Sequence, residues 1–228
     1  MTGKVGRLYE DLLDRNQHIL IAGMTGSGKS VILNGIINSI LYRDMNDHQM
    51  VLIDLKRVEF NKYKNTKHCA YVATTYEEAE KCLITLRNRI IQPRIEDMDQ
   101  RGIDTWDGTV IHLIIDELAE LILQDKKIIP QLQSICQLGR AVGIQVICAT
   151  QCPLAEVIPT KVKVNFPVLI GLHTASARHS RNILEVNGCE DLPMYGEALI
   201  QYPSSGIKRV DVPMINRELI KLAIDADL

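Results

Sequence analysis

Residues 18–42 read HILIAGMTGSGKSVILNGIINSILY, and this stretch decides the fold. HILIAG is an apolar run of strand length, and VILNGIINSILY has the length and composition of a buried helix. Between them, Gly23-Met24-Thr25-Gly26-Ser27-Gly28-Lys29-Ser30 fits the pattern GxxxxGK[ST]. Glycines let the backbone turn so that successive N–H groups face one anion, and the following helix adds its positive N-terminal end at the same point. A glycine-rich turn can also merely join strand to helix, but the flanking elements favour a polyphosphate cradle formed by Gly23, Thr25, Gly26, Ser27, Gly28, Lys29, Ser30 and Val31. In such a cradle Lys29 reaches the outer phosphates and the Ser30 hydroxyl takes one coordination position of Mg²⁺.

Outward from this centre the chain alternates apolar strands with helices. MVLIDL follows, and Thr75 with Glu78 predicts a capping box before a helix striped by Ala79, Leu83, Leu86 and Ile90, ending near Pro93. Residues 93–109, polar and holding the only tryptophan, predict a loop or insertion. TVIHLIID, a helix over IIPQLQSICQLGRAVG closed by Gly143, IQVICAT, PVLIG, a helix near 175–186 and EALIQY continue the pattern. A short strand and an amphipathic helix end it. The expectation is an α/β fold with a mainly parallel sheet and helices on both faces, one domain over 1–228 with residues 1–16 as an N-terminal extension.

With 228 residues, 46% hydrophobic and 24% charged, disordered and coiled-coil classes are excluded. Twenty-six basic against 28 acidic residues exclude nucleic-acid binding by bulk basicity, so any such binding must be local. Six cysteines without a CxxC pair, no secretory opening and no apolar run of membrane length predict reduced thiols, a cytoplasmic location and no membrane contact by this chain itself. No spacing of histidine and cysteine resembles a zinc site, and His112 reads as a hydrogen-bonded structural residue.

Two further strand ends carry chemistry. Val110 to Ile115 is followed by Asp116-Glu117, where ligands of open α/β sheets bind. Asp116 there can hold Mg²⁺ through a water, and Glu117 can orient an attacking water for phosphoryl transfer. The competing reading is a pair of acids favoured by a helix N-terminus. IQVICAT ends in Thr150 and Gln151, whose hydroxyl and amide can sense the γ phosphate. An Asn-Lys-x-Asp element and an arginine-rich lid are both missing, which favours ATP.

These blocks resemble the motor domain of the FtsK/SpoIIIE family of double-stranded DNA translocases, which are RecA-like and work as hexameric rings. HILIAGMTGSGKSVILNGIINSILY, LIDLKRVEFNKY, HLIIDELAELI, RAVGIQVICATQCP, VIPTKVKVNFP, SRNILEVNGCEDL and GEALIQY follow the family's order, from about residue 17 to near the end. The resemblance implies an ATP- and Mg²⁺-dependent ATPase that moves double-stranded DNA as a homo-oligomeric ring. It implies that Arg140 is an arginine finger acting on a neighbour's nucleotide, and that Lys163, with Lys161 two residues before it in an extended loop, faces a DNA channel. Where the family usually reads Thr-Gln-Arg-Pro, this chain has Thr150-Gln151-Cys152-Pro153, so one DNA-contacting arginine is absent. The family's membrane region, linker and winged-helix module are absent too, which implies a motor alone or a piece of a longer protein. Protein-export ATPases of similar architecture and a nucleotide-dependent assembly module are the alternatives.

Overall fold

A computed structural model describes residues 7–14, 16–42, 47–151, 153–154 and 156–228. Its strands are β1 (Ile19–Ala22), β2 (His48–Ile53), β3 (Cys69–Ala73), β4 (Val110–Ile115), β5 (Ile144–Thr150), β6 (Val168–Gly171), β7 (Glu197–Tyr202) and β8 (Gly206–Asp211). They form one sheet in the order β3-β2-β4-β5-β1-β6-β7-β8, parallel from β3 to β6 and antiparallel over β7 and β8.

The strands around β1 are apolar on both sides because both sides are covered. Ile19 and Ile21 face a core shared with α1 (Arg7–Asp14), α2 (Lys29–Tyr42) and α9 (Arg217–Ala226). Leu20 and Ala22 face the opposite core, built with α3 (Tyr76–Thr85), α4 (Gln92–Arg101), α5 (Leu118–Gln124), α6 (Ile128–Leu138), α7 (Thr160–Lys163) and α8 (Ala177–Leu184). Alternation along a strand sends successive side chains to the two cores. The expected mainly parallel sheet with helices on both faces is what the structure has.

The N-terminal extension holds α1, whose Tyr9, Leu12 and Leu13 are buried. Tyr9 lies where a Cβ on Gly35 would stand, within 2.3–2.6 Å of ring atoms, so only glycine at 35 lets α1 close on α2. At the other terminus, Asp227 accepts the His68 N–H at 3.1 Å and lies 2.5 Å from His68 Nδ1, fastening the end of α9 beside β3.

Three expectations need correction. The helix capped by Thr75 and Glu78 does not stop at Pro93: it passes through a π-helical stretch, Leu86–Ile91, into α4. The Gln92 N–H bonds Arg87 O, five residues back, and Pro93 enters at the start of the new register, where its missing N–H is tolerated. The predicted loop over 93–109 therefore shrinks to the segment after α4, with Gly102 at φ 65 closing that helix. Gly143 closes a turn rather than a helix, because α6 ends at Leu138 and the Ile144 N–H returns to Gly139 O at 2.7 Å. Residues 160–163 form a helical turn where an extended loop was expected; the Val164 N–H bonds Thr160 O at 3.0 Å. Cys152 lies outside the described residues. The other five cysteines are free thiols, and among the described residues no helix is long and apolar enough to cross a membrane.

Candidate functional site

The C-terminal ends of β1, β4 and β5, which are neighbours in the sheet, meet at one cleft of about 380 Å³. Gly26 and Gly28 adopt φ of 82° and 103°, a region that side chains resist, and the loop they shape delivers the start of α2 to the cleft. The first turn of α2 contributes Lys29, Ser30 and Val31, whose N–H groups have no partner within the helix. Ser27 turns its hydroxyl back to Met24 O at 2.8 Å, so its side chain braces the loop. Gly23 likewise sits under the loop, where an added Cβ would meet Ser27 Oγ at 2.6 Å.

Lys29 is 8% exposed and donates to Gly23 O at 2.8 Å and Met24 O at 2.9 Å. Burial pulls its ammonium down to about 8, against the raising pull of Glu117 and Asp116. Asp116 is pushed up to about 6, first by burial and then by the carboxylates of Glu59, Asp54 and Glu117. A cation placed among these acids relieves that repulsion, but among the described residues no three His, Cys, Asp or Glu side chains are grouped to hold a metal by themselves, so a divalent ion here would need oxygen ligands from a bound phosphate as well. The left-handed glycines, the open first turn of α2 and the buried ammonium fit a polyphosphate.

Glu117 occupies the N-cap position of α5 yet makes no capping bond. Its carboxylate instead receives the Thr150 hydroxyl at 2.8 Å and the Gln151 N–H at 3.1 Å. The Gln151 side-chain oxygen accepts from the Thr25 hydroxyl at 2.7 Å. This chain of contacts links the exits of β4, β5 and β1; Glu117 stands at the N-terminus of α5, as the competing reading has it, but its carboxylate is turned to β5 and not to the helix.

The turn after β2 supplies Lys56, Val58 and Glu59 to the same cleft, a contribution the sequence reading missed. Asp54, 1% exposed, shapes this turn by accepting the N–H groups of Glu59 at 2.8 Å and Phe60 at 2.9 Å. Lys56 lies 3.3 Å from Glu120 of α5, joining the turn to the helix that follows the acidic pair. The available signal was the Asp-x-Lys at the end of MVLIDLK, since β2 pairs with β4.

Gly23, Ser27 and Thr150 support the cleft from behind its lining, and three other predicted residues lie away from it. Arg140 is exposed in the turn that enters β5, at the opposite end of the strand from Thr150 and Gln151. Lys161 is exposed on α7. Lys163 is only part-exposed and donates to Asn182 O at 2.8 Å. Two residues apart on a helical turn, the lysines point in different directions, which corrects the expectation that they share one side.

A sequence model of the FtsK/SpoIIIE family matches residues 5–113. Over 221 residues the chain is 36% identical to the DNA translocase FtsK of Chlorobaculum tepidum, covering 87% of this chain and 28% of that protein. The chain belongs to the FtsK/SpoIIIE family. Bacillus subtilis DNA translocase SpoIIIE is 34% identical over 209 residues, covering 82% of this FtsK/SpoIIIE chain and 26% of that protein. The chain thus spans about a quarter of the length of these curated relatives. Among solved structures, the conjugation coupling protein TcpA of pCW3, in a monomer form with ATPγS, superposes with a TM-score of 0.78 at 28% identity, over 92% of this chain and 66% of that one. The cytoplasmic domain of the type VII secretion ATPase EccC from Thermomonospora curvata superposes with a TM-score of 0.76 at 22% identity, over 91% of this chain and 27% of that one, and shares the fold. The fold of this FtsK/SpoIIIE member is that of the RecA-like P-loop ATPases.

Proposed function

We propose that this chain is an ATP-hydrolysing motor that moves double-stranded DNA as a ring of identical subunits in the cytoplasm, where ATP and DNA are both found. The observation that carries the reading is the convergence of Lys29, Glu117 and Gln151 on one cleft from three neighbouring strands. The relatives named DNA translocases support DNA as the polymer, and the ATPγS held by the TcpA structure supports ATP as the fuel.

On this reading the amides of Gly26 to Val31 bind the phosphates and Lys29 neutralises the outer ones. Ser30 and, through a water, Asp116 hold Mg²⁺, which when bound supplies charge neutralisation on the β and γ phosphates. Glu117 accepts the proton of the attacking water, and Thr150 and Gln151 fix the Glu117 carboxylate and read the γ position. Arg140, at the far end of β5, serves a neighbouring subunit's nucleotide, because its own cleft lies a strand length away. Lys161 contributes one positive charge per subunit to the DNA path, so a ring of subunits gathers a basic circle despite a net charge of −2 on each.

The deciding measurement is ATP hydrolysis with and without long duplex DNA. Strong stimulation by DNA is the expected result. Turnover indifferent to DNA points to protein export, and binding without turnover points to an assembly module; either outcome ends the DNA-motor reading.

A further inference from the structure

The cleft beside Glu117 is lined by charged groups such as Lys56, Glu59 and Asp116 and by no aromatic side chain among the described residues. It therefore suits phosphates and metal but offers no platform for a base. The strand order indicates where the base goes. The phosphate loop follows β1, which lies between β5 and β6. On the β5 side, the Thr25 hydroxyl reaches Gln151. If the γ phosphate lies on that side, the nucleoside leaves the loop on the other, over the exit of β6.

That exit is built against the loop. The Met24 N–H donates to His173 O at 3.0 Å, and His173 Nδ1 lies 2.7 Å from Leu192 O, where it must be the donor because a carbonyl only accepts. Through His173 the loop is stitched to the segment that follows Leu192. The next residues, Pro193 to Gly196, carry Met194 and Tyr195. The Met194 methyl lies 3.8 Å from the position a Cβ on Gly26 would occupy, so this side chain stands directly beside the turn of the phosphate loop. Tyr195 is 68% exposed and Met194 41% exposed, although both are large and apolar. Gly196, at φ 94, turns the chain into β7 immediately after them.

We infer that Met194 and Tyr195 form the shelf that holds the adenine ring of the nucleotide, an inference that rests on the ATP reading above. An aromatic face stacks on any purine, and a thioether adds polarizable contact at the ring edge. Both side chains are of the types that hold a planar apolar ring at a wet surface. A position flanking the loop opposite the acidic cleft lets one ligand span both sites, its charged end among Lys29 and Asp116 and its flat end on the shelf.

The test separates base from phosphate by calorimetric titration of the full chain with ATP and, independently, with inorganic tripolyphosphate. Tyr195→Ala and Met194→Ala each weaken ATP binding about tenfold, the scale of one lost base-stacking contact, while tripolyphosphate binds as it does to the unaltered chain. Tyr195→Phe keeps the ring and retains ATP affinity. Because both side chains are exposed, the thermal midpoint stays within a degree or two of the parent. If the double variant binds ATP as tightly as the parent, or loses both ligands equally, the shelf is refuted while the nucleotide reading stands. If the parent binds neither ligand, the nucleotide reading fails and takes the shelf with it.

Discussion

Replacing His112 by glutamine should remove a specific acid sensitivity from the fold. His112 is fully buried on β4, its Nδ1 2.8 Å from Gln145 Oε1 and its Nε2 2.7 Å from His48 Nδ1. Gln145 uses its amide N–H groups on Leu12 O and Gln17 O, both at 2.9 Å, so its oxygen accepts and His112 Nδ1 carries the proton. His112 Nε2 is then the acceptor, and His48 donates to it. A second proton on His112 finds an acceptor only if His48 gives up its Nδ1 proton, and burial, aided by the charge of His48, lowers the His112 pKa from 6.5 to about 3. The unfolded chain takes up that proton below about 6.5 and the folded chain does not, so stability is intact above 6.5 and drains away as pH falls toward 3. Between pH 7 and pH 5 the loss attributable to this one residue is about 2 kcal/mol, from the ratio of protonated to neutral unfolded histidine. Urea denaturation at the two pH values measures it. His112→Gln should lose about 2 kcal/mol less than the parent across that interval, whatever its stability at pH 7. His18, lowered to about 4 chiefly by burial, adds a similar loss in both chains and cancels from the comparison. An identical pH difference in parent and variant would refute the proton assignment.

The cleft and the basic residues lead to further expected outcomes. Lys29→Ala should abolish both hydrolysis and high-affinity ATP binding, measured by turnover and by titration, because it removes the one buried ammonium held over Gly23 and Met24. Glu117→Gln should keep ATP binding while slowing hydrolysis about a hundredfold or more; mixed with Arg140→Ala subunits it should recover part of the lost rate, and no recovery would count against a shared site. Lys161→Ala should reduce the slope of log affinity for duplex DNA against log salt by about one per contacting subunit. Lys163→Ala should change that slope less, since its ammonium is held by Asn182 O.

The parts legible in the sequence are those fixed by local chemistry. HILIAG, VIHLII and IQVICAT are buried on both faces, so their runs are almost wholly apolar, and what ends them, the glycine-rich loop after the first and Asp116 and Thr150 at the other two, marks the sheet edge where Lys29, Glu117 and Gln151 meet. The capping box at Thr75 needs only four residues and formed as expected. What was not legible depends on partners distant in sequence. β3 is an edge strand whose first three residues are not buried, so CAYVA carries no clean pattern. Lys56 and Glu59 reach the cleft only because β2 pairs with β4, and Asp54 folds their turn. Pro93 reads as a helix stop unless the π-helical register before it is known. Lys163 reads as a free cation until Asn182 is placed beside it.

The position of β5 gives the proposed motor a physical link between subunits. One end of this strand follows the turn carrying Arg140, and the other ends in Thr150 and Gln151, which grip Glu117. All seven residues of β5 are buried; Ile144 to Cys148 pair with β4 and Ile147 to Thr150 with β1, so the strand is held along its whole length. A close-packed strand of this kind cannot stretch or bend to absorb a displacement at one end. If Arg140 engages a neighbour's nucleotide, a shift of that contact moves the strand as a unit and is felt at the Thr150 and Gln151 grip on Glu117. On the proposed ring, hydrolysis in one subunit would then be conditional on the state of the next, with no flexible element needed between them.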